Sequence, residues 1–154
     1  MTAKRGTHDY VEDVRNLEIL IYINGKFYPR QDASISVFDS GYLLGDGVWE
    51  GIRFHNGKFL FLDQHLERLF WGASKIDMDI GKTIDEITEI LYETVKFNNM
   101  ESGVHVRLIV SRGIKSTPYQ DPSFTISEPT IVVIPEYKQA SPETQKNGIK
   151  LVSV

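Results

Sequence analysis

Apolar positions along this chain change their spacing several times, and each change marks an element. From Ile19 to Ile23 the residues are mostly β-branched or aromatic, Asn24-Gly25 interrupts them, and Lys26-Phe27-Tyr28 resumes the run. Asn-Gly between two such runs predicts a hairpin, because both turn residues must adopt φ > 0. The same arrangement returns at Asn56-Gly57, between Val48–His55 and Phe59–Phe61. Both turns read Asn-Gly-Lys-Phe, but their flanks differ, so turn chemistry accounts for the repeat better than duplication does. The spacing then becomes helical: Asp63 reads as an N-cap, and Leu66, Leu69, Phe70, Ala73 and Ile76 form one stripe. A second helix is predicted from Thr83 to Asn98, with Thr83 as cap, Glu86 three residues on, and Ile84, Ile87, Leu91 and Val95 as its buried face.

From Gly103 to Ser111 the period is two, with Val104, Val106, Leu108 and Val110 on one face and His105, Arg107, Ile109 and Ser111 on the other. Gly113 to Pro129 is polar and proline-punctuated, which predicts a loop, and Thr130–Pro135 reads as a buried strand. The pattern thus divides the chain into a polar arm (1–18), a small domain (19–135), a linker (136–147) and a further strand pattern from Gly148 to Val154. A strand that opens after a linker and lacks a following partner reads as the start of a second domain, cut short. The expected fold class is α+β, an antiparallel sheet with two helices on one face.

Composition narrows the function classes. The 154 residues suit one domain. The 17 basic and 21 acidic side chains give a net charge of −4, which argues against non-specific nucleic-acid binding. With no cysteine there is no disulfide framework, Cys-ligated zinc or thiol nucleophile. The first 18 residues carry charges throughout and no apolar h-region, and no apolar run approaches a membrane span, so the reading is a soluble cytoplasmic protein. Gly81-Lys82-Thr83 ends like a phosphate-binding loop, but position 76, where the first glycine belongs, is Ile. Asp77-x-Asp79-x-Gly81 lacks the acidic twelfth residue of a calcium loop, which here is Thr88. His8, His55, His65 and His105 show no metal-ligand spacing, so no metal is expected.

Chemistry concentrates in residues 38–53, Phe-Asp-Ser-Gly-Tyr-Leu-Leu-Gly-Asp-Gly-Val-Trp-Glu-Gly-Ile-Arg. Gly51 falls inside a strand pattern, where glycine weakens the strand unless something approaches its backbone closely. Period-two geometry puts Trp49, Gly51 and Arg53 on one face of their strand, as it puts His105 and Arg107 on one face of theirs. If the two faces coincide, two guanidiniums flank a gap floored by glycine and walled by indole, which suits a small carboxylate. The alternative is a solvated sheet face with paired arginines.

That stretch, followed by Asn56-Gly57 and by Leu62-Asp-Gln-His-Leu-Glu-Arg-Leu69, resembles the N-terminal half of the class IV aminotransferases. These are fold-type IV pyridoxal-phosphate enzymes that include branched-chain and D-amino acid transaminases and aminodeoxychorismate lyase. The resemblance covers about residues 19–154. It implies that Arg68 binds the 5′-phosphate of pyridoxal 5′-phosphate, although pattern alone puts Arg68 on the polar side of its helix as a solvated charge. It implies that Trp49 walls the substrate pocket, that Gly51 and Arg53 belong to the Gly-Ile-Arg of branched-chain members, and that Arg107 helps hold the distal carboxylate of glutamate. His105 stands where those enzymes commonly have tyrosine, and Leu44 where many carry an aromatic. No catalytic residue is expected within the chain: the Schiff-base lysine of the family lies beyond Val154, and Lys150 comes too early to match it. The implied activity is transfer of an amino group from an amino acid, branched-chain by the Gly-Ile-Arg match, to a 2-oxo acid by a homodimer. The alternatives are a D-amino acid or (R)-amine transaminase, the lyase, or a fragment that binds a carboxylate and catalyses nothing.

Overall fold

A computed structural model describes residues 12–139 and 146–148. Six strands form its sheet: β1 (Leu20–Ile23), β2 (Lys26–Pro29), β3 (Gly47–His55), β4 (Lys58–Phe59), β5 (Val104–Ser111) and β6 (Thr130–Tyr137). Their order is β2-β1-β6-β5-β3-β4, and every pairing is antiparallel. The helices α1 (Ser40–Leu44), α2 (Leu62–Lys75) and α3 (Ile84–Phe97) accompany them. The fold is the expected α+β arrangement. Among the described residues no helix is long and apolar enough to cross a membrane.

Both Asn-Gly turns close hairpins as predicted, with φ of 44° and 86° at Asn24-Gly25 and 48° and 76° at Asn56-Gly57. These positive pairs match the right-handed twist of the strands they join. The alternation along β5 also holds, since Val104, Val106, Leu108 and Val110 are all fully buried. They share one face of the sheet with Ile52, Phe54, Tyr22, Ile131 and Val133, and Leu66, Leu69 and Ala73 of α2 and Ile87, Ile90, Leu91 and Val95 of α3 complete the core against that face.

Several expectations about element ends change. Asp63 is not the N-cap of α2: the helix begins at Leu62, and the preceding Phe61 sits in the left-handed region with no side-chain cap. The hairpin delivers the chain to the helix so tightly that a backbone kink replaces the cap, and Asp63 serves in the first turn, where a carboxylate favours the helix dipole. Ile76 follows the last helical residue and Ile84 opens α3, so both remain over a third exposed instead of joining the core. Thr83 does cap α3, in a full capping box with Glu86. The strand expected over 130–135 continues to Tyr137 because β5 offers partners along its whole length. Within the stretch read as an arm, Val14–Glu18 is a 3-10 turn whose buried Asn16 bonds both the N–H and the carbonyl of Tyr137. The predicted loop contains the short turn Pro122–Phe124 and closes over Lys115, whose Nζ donates to the Asp121 carbonyl at 2.8 Å. Most of the strand pattern read at 148–154 lies outside the described residues.

Candidate functional site

The two long helices, α2 and α3, cover one face of the sheet. On the other, strand register settles the question that period-two geometry left open. Gly51 pairs with Arg107, Arg53 with His105 and Trp49 with Ile109, so these six side-chain positions share the open face. Ile109 continues through Val132 of β6 to Ile23 of β1, and these apolar residues, with Ile21, Ile134, Ile35 and Tyr42, line a concavity of about 540 Å³ beside Trp49. The concavity itself carries one charged residue, Asp39, while Arg53 and Arg107 lie further along the same face; an apolar floor of this kind suits the aliphatic part of a small molecule.

Each charged group on this face has a defined place. The Arg107 guanidinium lies over the Trp49 ring at 4.0 Å from its centre, a cation–π contact that fixes both side chains although the indole is 59% exposed. The Arg53 Nη1 donates to the carbonyl of Lys138, which follows β6. His105 lies between them. Burial, then the positive charges of Lys138, Arg53 and Arg107, lower its pKa from the ordinary imidazole value, while Glu136 pulls the other way. At neutral pH the ring is therefore uncharged. Gly51 is explained by the same ring: a Cβ there would stand 2.9 Å from the His105 Nε2. The close approach expected from a glycine within a strand comes from a neighbouring side chain.

Two glycines at the entry to β3 are required for different reasons, Gly45 by its backbone conformation and Gly47 by packing. Asp39 caps α1 by accepting from the Gly41 N–H, and it accepts a second hydrogen bond from the Ser111 hydroxyl at 2.8 Å. Gly45 ends α1 in the left-handed region, at φ 69°. A Cβ on Gly47 would lie 2.6 Å from the Val110 carbonyl oxygen. This tight turn brings Trp49 onto the open face in register with β5.

Arg68 lies elsewhere. It projects from α2, on the helix side of the sheet, and the structure does not gather it with Trp49, Gly51, Arg53, His105 and Arg107. Its partner is Glu50, which points into the core side between Trp49 and Gly51 and is only 2% exposed. The Arg68 Nε donates to Oε1 and Nη2 to Oε2, each at 2.6 Å, while the His65 Nδ1 lies 2.8 Å from Oε2. Burial alone would raise the Glu50 pKa, but the hydrogen bonds and charge of Arg68 and His65 outweigh it and hold the carboxyl below the ordinary glutamate value. The Arg68 side chain remains 67% exposed, and its Nη1 donates no hydrogen bond among the described residues. An arginine held by one edge and open at the other is equipped to take a phosphate oxygen. The residues present therefore fit a phosphorylated cofactor at this point.

Sequence reading missed Glu50 and His65 as functional positions. The signal was present for Glu50: a lone carboxylate among Val48, Ile52 and Phe54 on an apolar strand face demands a buried partner. No comparable pattern marks His65. The two faces meet at the outer edge of β3, where β4 pairs only with Phe54 and His55, so Gly47 to Ile52 have no strand partner on that side among the described residues.

Comparison with known proteins agrees with this geometry. A sequence profile described as amino-transferase class IV matches residues 47–154. A putative branched-chain-amino-acid aminotransferase of Methanocaldococcus jannaschii is 44% identical over 94 residues, which is 61% of this chain and 32% of that protein. A D-alanine aminotransferase of Staphylococcus haemolyticus is 31% identical over 134 residues, 87% of this chain and 47% of that one. Among solved structures, a T.th. branched-chain amino acid aminotransferase complexed with N-(5′-phosphopyridoxyl)-L-glutamate superposes with a TM-score of 0.68 at 25% identity, over 79% of this chain and 41% of that chain. The chain thus spans less than half the length of each of these proteins.

Proposed function

Because this chain belongs to the class IV aminotransferases, we propose that it forms the substrate-side part of a pyridoxal-phosphate-dependent transaminase that moves an amino group between an amino acid, branched-chain by preference, and a 2-oxo acid. The observation that carries the proposal is the shared open face of Trp49, Gly51, Arg53, His105 and Arg107 beside an apolar concavity. An aliphatic side chain packs on Ile109, Val132 and Trp49, and an anionic one meets Arg53 and Arg107. Arg68, preset by Glu50 and His65, holds the phosphate of the cofactor, which when bound supplies the electron sink that amino-group transfer requires. The reading assigns the lysine that joins the cofactor to the part of the protein beyond Val154, and two copies of the chain to the working enzyme.

A D-amino acid transaminase is the second reading, supported by the D-alanine aminotransferase that aligns over most of this chain. Activity of the full-length protein on L-leucine, D-alanine and L-glutamate separates the two. The branched-chain reading expects turnover of L-leucine, and activity on D-alanine alone overturns it. Borohydride reduction followed by intact mass tests the cofactor: one covalent pyridoxyl group per chain is expected, and an unmodified protein refutes the transaminase reading.

A further inference from the structure

The tetrapeptide Asn-Gly-Lys-Phe occurs at 24–27 and again at 56–59, and both copies close hairpins on a pair of positive-φ residues. Asparagine is a chemically labile residue, and glycine after it leaves the next backbone nitrogen unshielded by any Cβ. Both asparagines are exposed, and identical following residues give them the same intrinsic chemistry. Any difference in their reactivity therefore comes from the fold. A third Asn-Gly, at 147–148, has other neighbours and stands outside this matched pair. Asn24 is held twice by β6: its N–H donates to the Ile131 carbonyl at 3.1 Å, and its Oδ1 accepts the Ile131 N–H at 2.7 Å. Its hairpin is laddered from Leu20–Pro29 to Ile23–Lys26. The Asn56 side chain has no hydrogen-bond partner among the described residues, and its hairpin pairs only Phe54 with Phe59 and His55 with Lys58, at the edge of the sheet. We propose that Asn56 is a site of spontaneous modification in the folded protein, converting to aspartate and isoaspartate, while the contacts with β6 protect Asn24.

In this step the Gly57 nitrogen attacks Asn56 Cγ, and the bond from Cγ to Nδ2 breaks. The Gly57 amide proton leaves with Nδ2 as ammonia, and a five-membered imide remains. Water opens the imide at either carbonyl. One opening yields aspartate; the other carries the backbone through Cβ and Cγ, one carbon longer. Attack waits for the bond from the Gly57 N–H to the Glu101 carbonyl, 2.8 Å long, to open together with the short ladder of β4. That is a local event at the sheet edge, whereas freeing Asn24 breaks two bonds to an interior strand. The additional hydrogen bond and the longer ladder should slow conversion at 24 about tenfold relative to 56. Either product puts a carboxylate beside Lys58, and isoaspartate also lengthens a turn whose closure rests on two positive-φ residues. The hairpin passes into α2 through Leu60, whose N–H donates to the Arg53 carbonyl, and the left-handed Phe61. The change therefore falls at the entry to the helix that carries Arg68.

The test needs no substitution and does not depend on activity. The full-length protein is incubated at pH 8, folded in one series and unfolded in guanidinium chloride in another. Samples are digested with pepsin in acid, where the reaction is slow, and the peptides carrying residues 24 and 56 are quantified by mass spectrometry. The amide-to-acid mass change counts conversion, and electron-based fragmentation separates isoaspartate from aspartate. In guanidinium the two asparagines should convert at the same rate. In the folded protein Asn56 should convert about tenfold faster than Asn24, giving both acids. Equal rates in the folded protein, faster conversion of Asn24, or an Asn56 that stays intact when folded but converts in guanidinium overturns the proposal. Rates that already differ in guanidinium overturn the assignment of the difference to the fold.

Discussion

Glu50→Gln probes the clamp beneath Arg68 with almost no change in shape. The carboxylate accepts three short hydrogen bonds, two from Arg68 and one from His65, with its side chain only 3% exposed. In the amide one oxygen remains an acceptor and the other becomes a donor that faces Arg68 Nη2 and His65 Nδ1. His65 can answer by presenting that nitrogen as an acceptor in its other tautomer, which leaves one donor–donor opposition. A hydrogen bond to a charged group is worth roughly 1.5–3 kcal/mol, and water reaches the exposed arginine and takes up part of the loss. The net destabilisation should be about 2 kcal/mol, measurable as the difference in urea unfolding free energy at pH 7. The pH dependence supplies a second, independent check. The Glu50 pKa is lowered in the folded state, so its contribution is complete above the unfolded-state pKa and disappears as pH falls through the folded-state value. The difference between the two proteins should therefore stay constant from pH 8 to the upper edge of the glutamate range and shrink in more acid solution. A difference below about 0.5 kcal/mol at neutral pH, or one that persists undiminished in acid, would refute the clamp as described.

Gly47→Ala and Gly51→Ala make the same chemical change with unlike consequences. At 47 the new Cβ meets a backbone carbonyl at 2.6 Å and destabilisation of about 3 kcal/mol is expected, whereas at 51 it meets the tip of a His105 ring that can swing, so thermal melts should show a shift several-fold smaller for the latter; equal shifts would contradict the packing. Thr83→Ala removes a hydroxyl that accepts the Glu86 N–H at 3.2 Å and should cost about 1 kcal/mol in denaturant unfolding without affecting cofactor binding. Arg68→Gln should weaken retention of pyridoxal phosphate about tenfold or more, read from the cofactor absorbance after dialysis, while unchanged retention would remove Arg68 from the phosphate site.

Much of the architecture was legible from local pattern alone. Two Asn-Gly turns, the period-two run of β5 and the capping box of α3 are each written within a short contiguous stretch, because turn dihedrals, strand pleat and helix periodicity act between near neighbours. The same logic placed Trp49 with Gly51 and Arg53, and His105 with Arg107, on faces of their own strands. Readings at the helix ends went astray: Asp63 gave way to Phe61 in the left-handed region at the entry to α2, and Ile76, just past the end of α2, and Ile84, the first residue of α3, stayed out of the core that their spacing pointed to.

Only the tertiary structure decided which strand lies beside which, and with it the site. The register of β3 on β5 joined two half-patterns into one face, a choice made by burial of Ile52, Phe54, Val106 and Leu108 on the opposite side, since a one-residue slip would turn every side chain over. The packing of α2 on that buried side brought Arg68 to Glu50, 18 residues earlier in the chain, and so separated it from Arg53 and Arg107 on the opposite face. Composition and local spacing specify elements and the faces they present. Which faces meet depends on how the whole chain buries its apolar surface, a quantity that no short stretch of sequence contains.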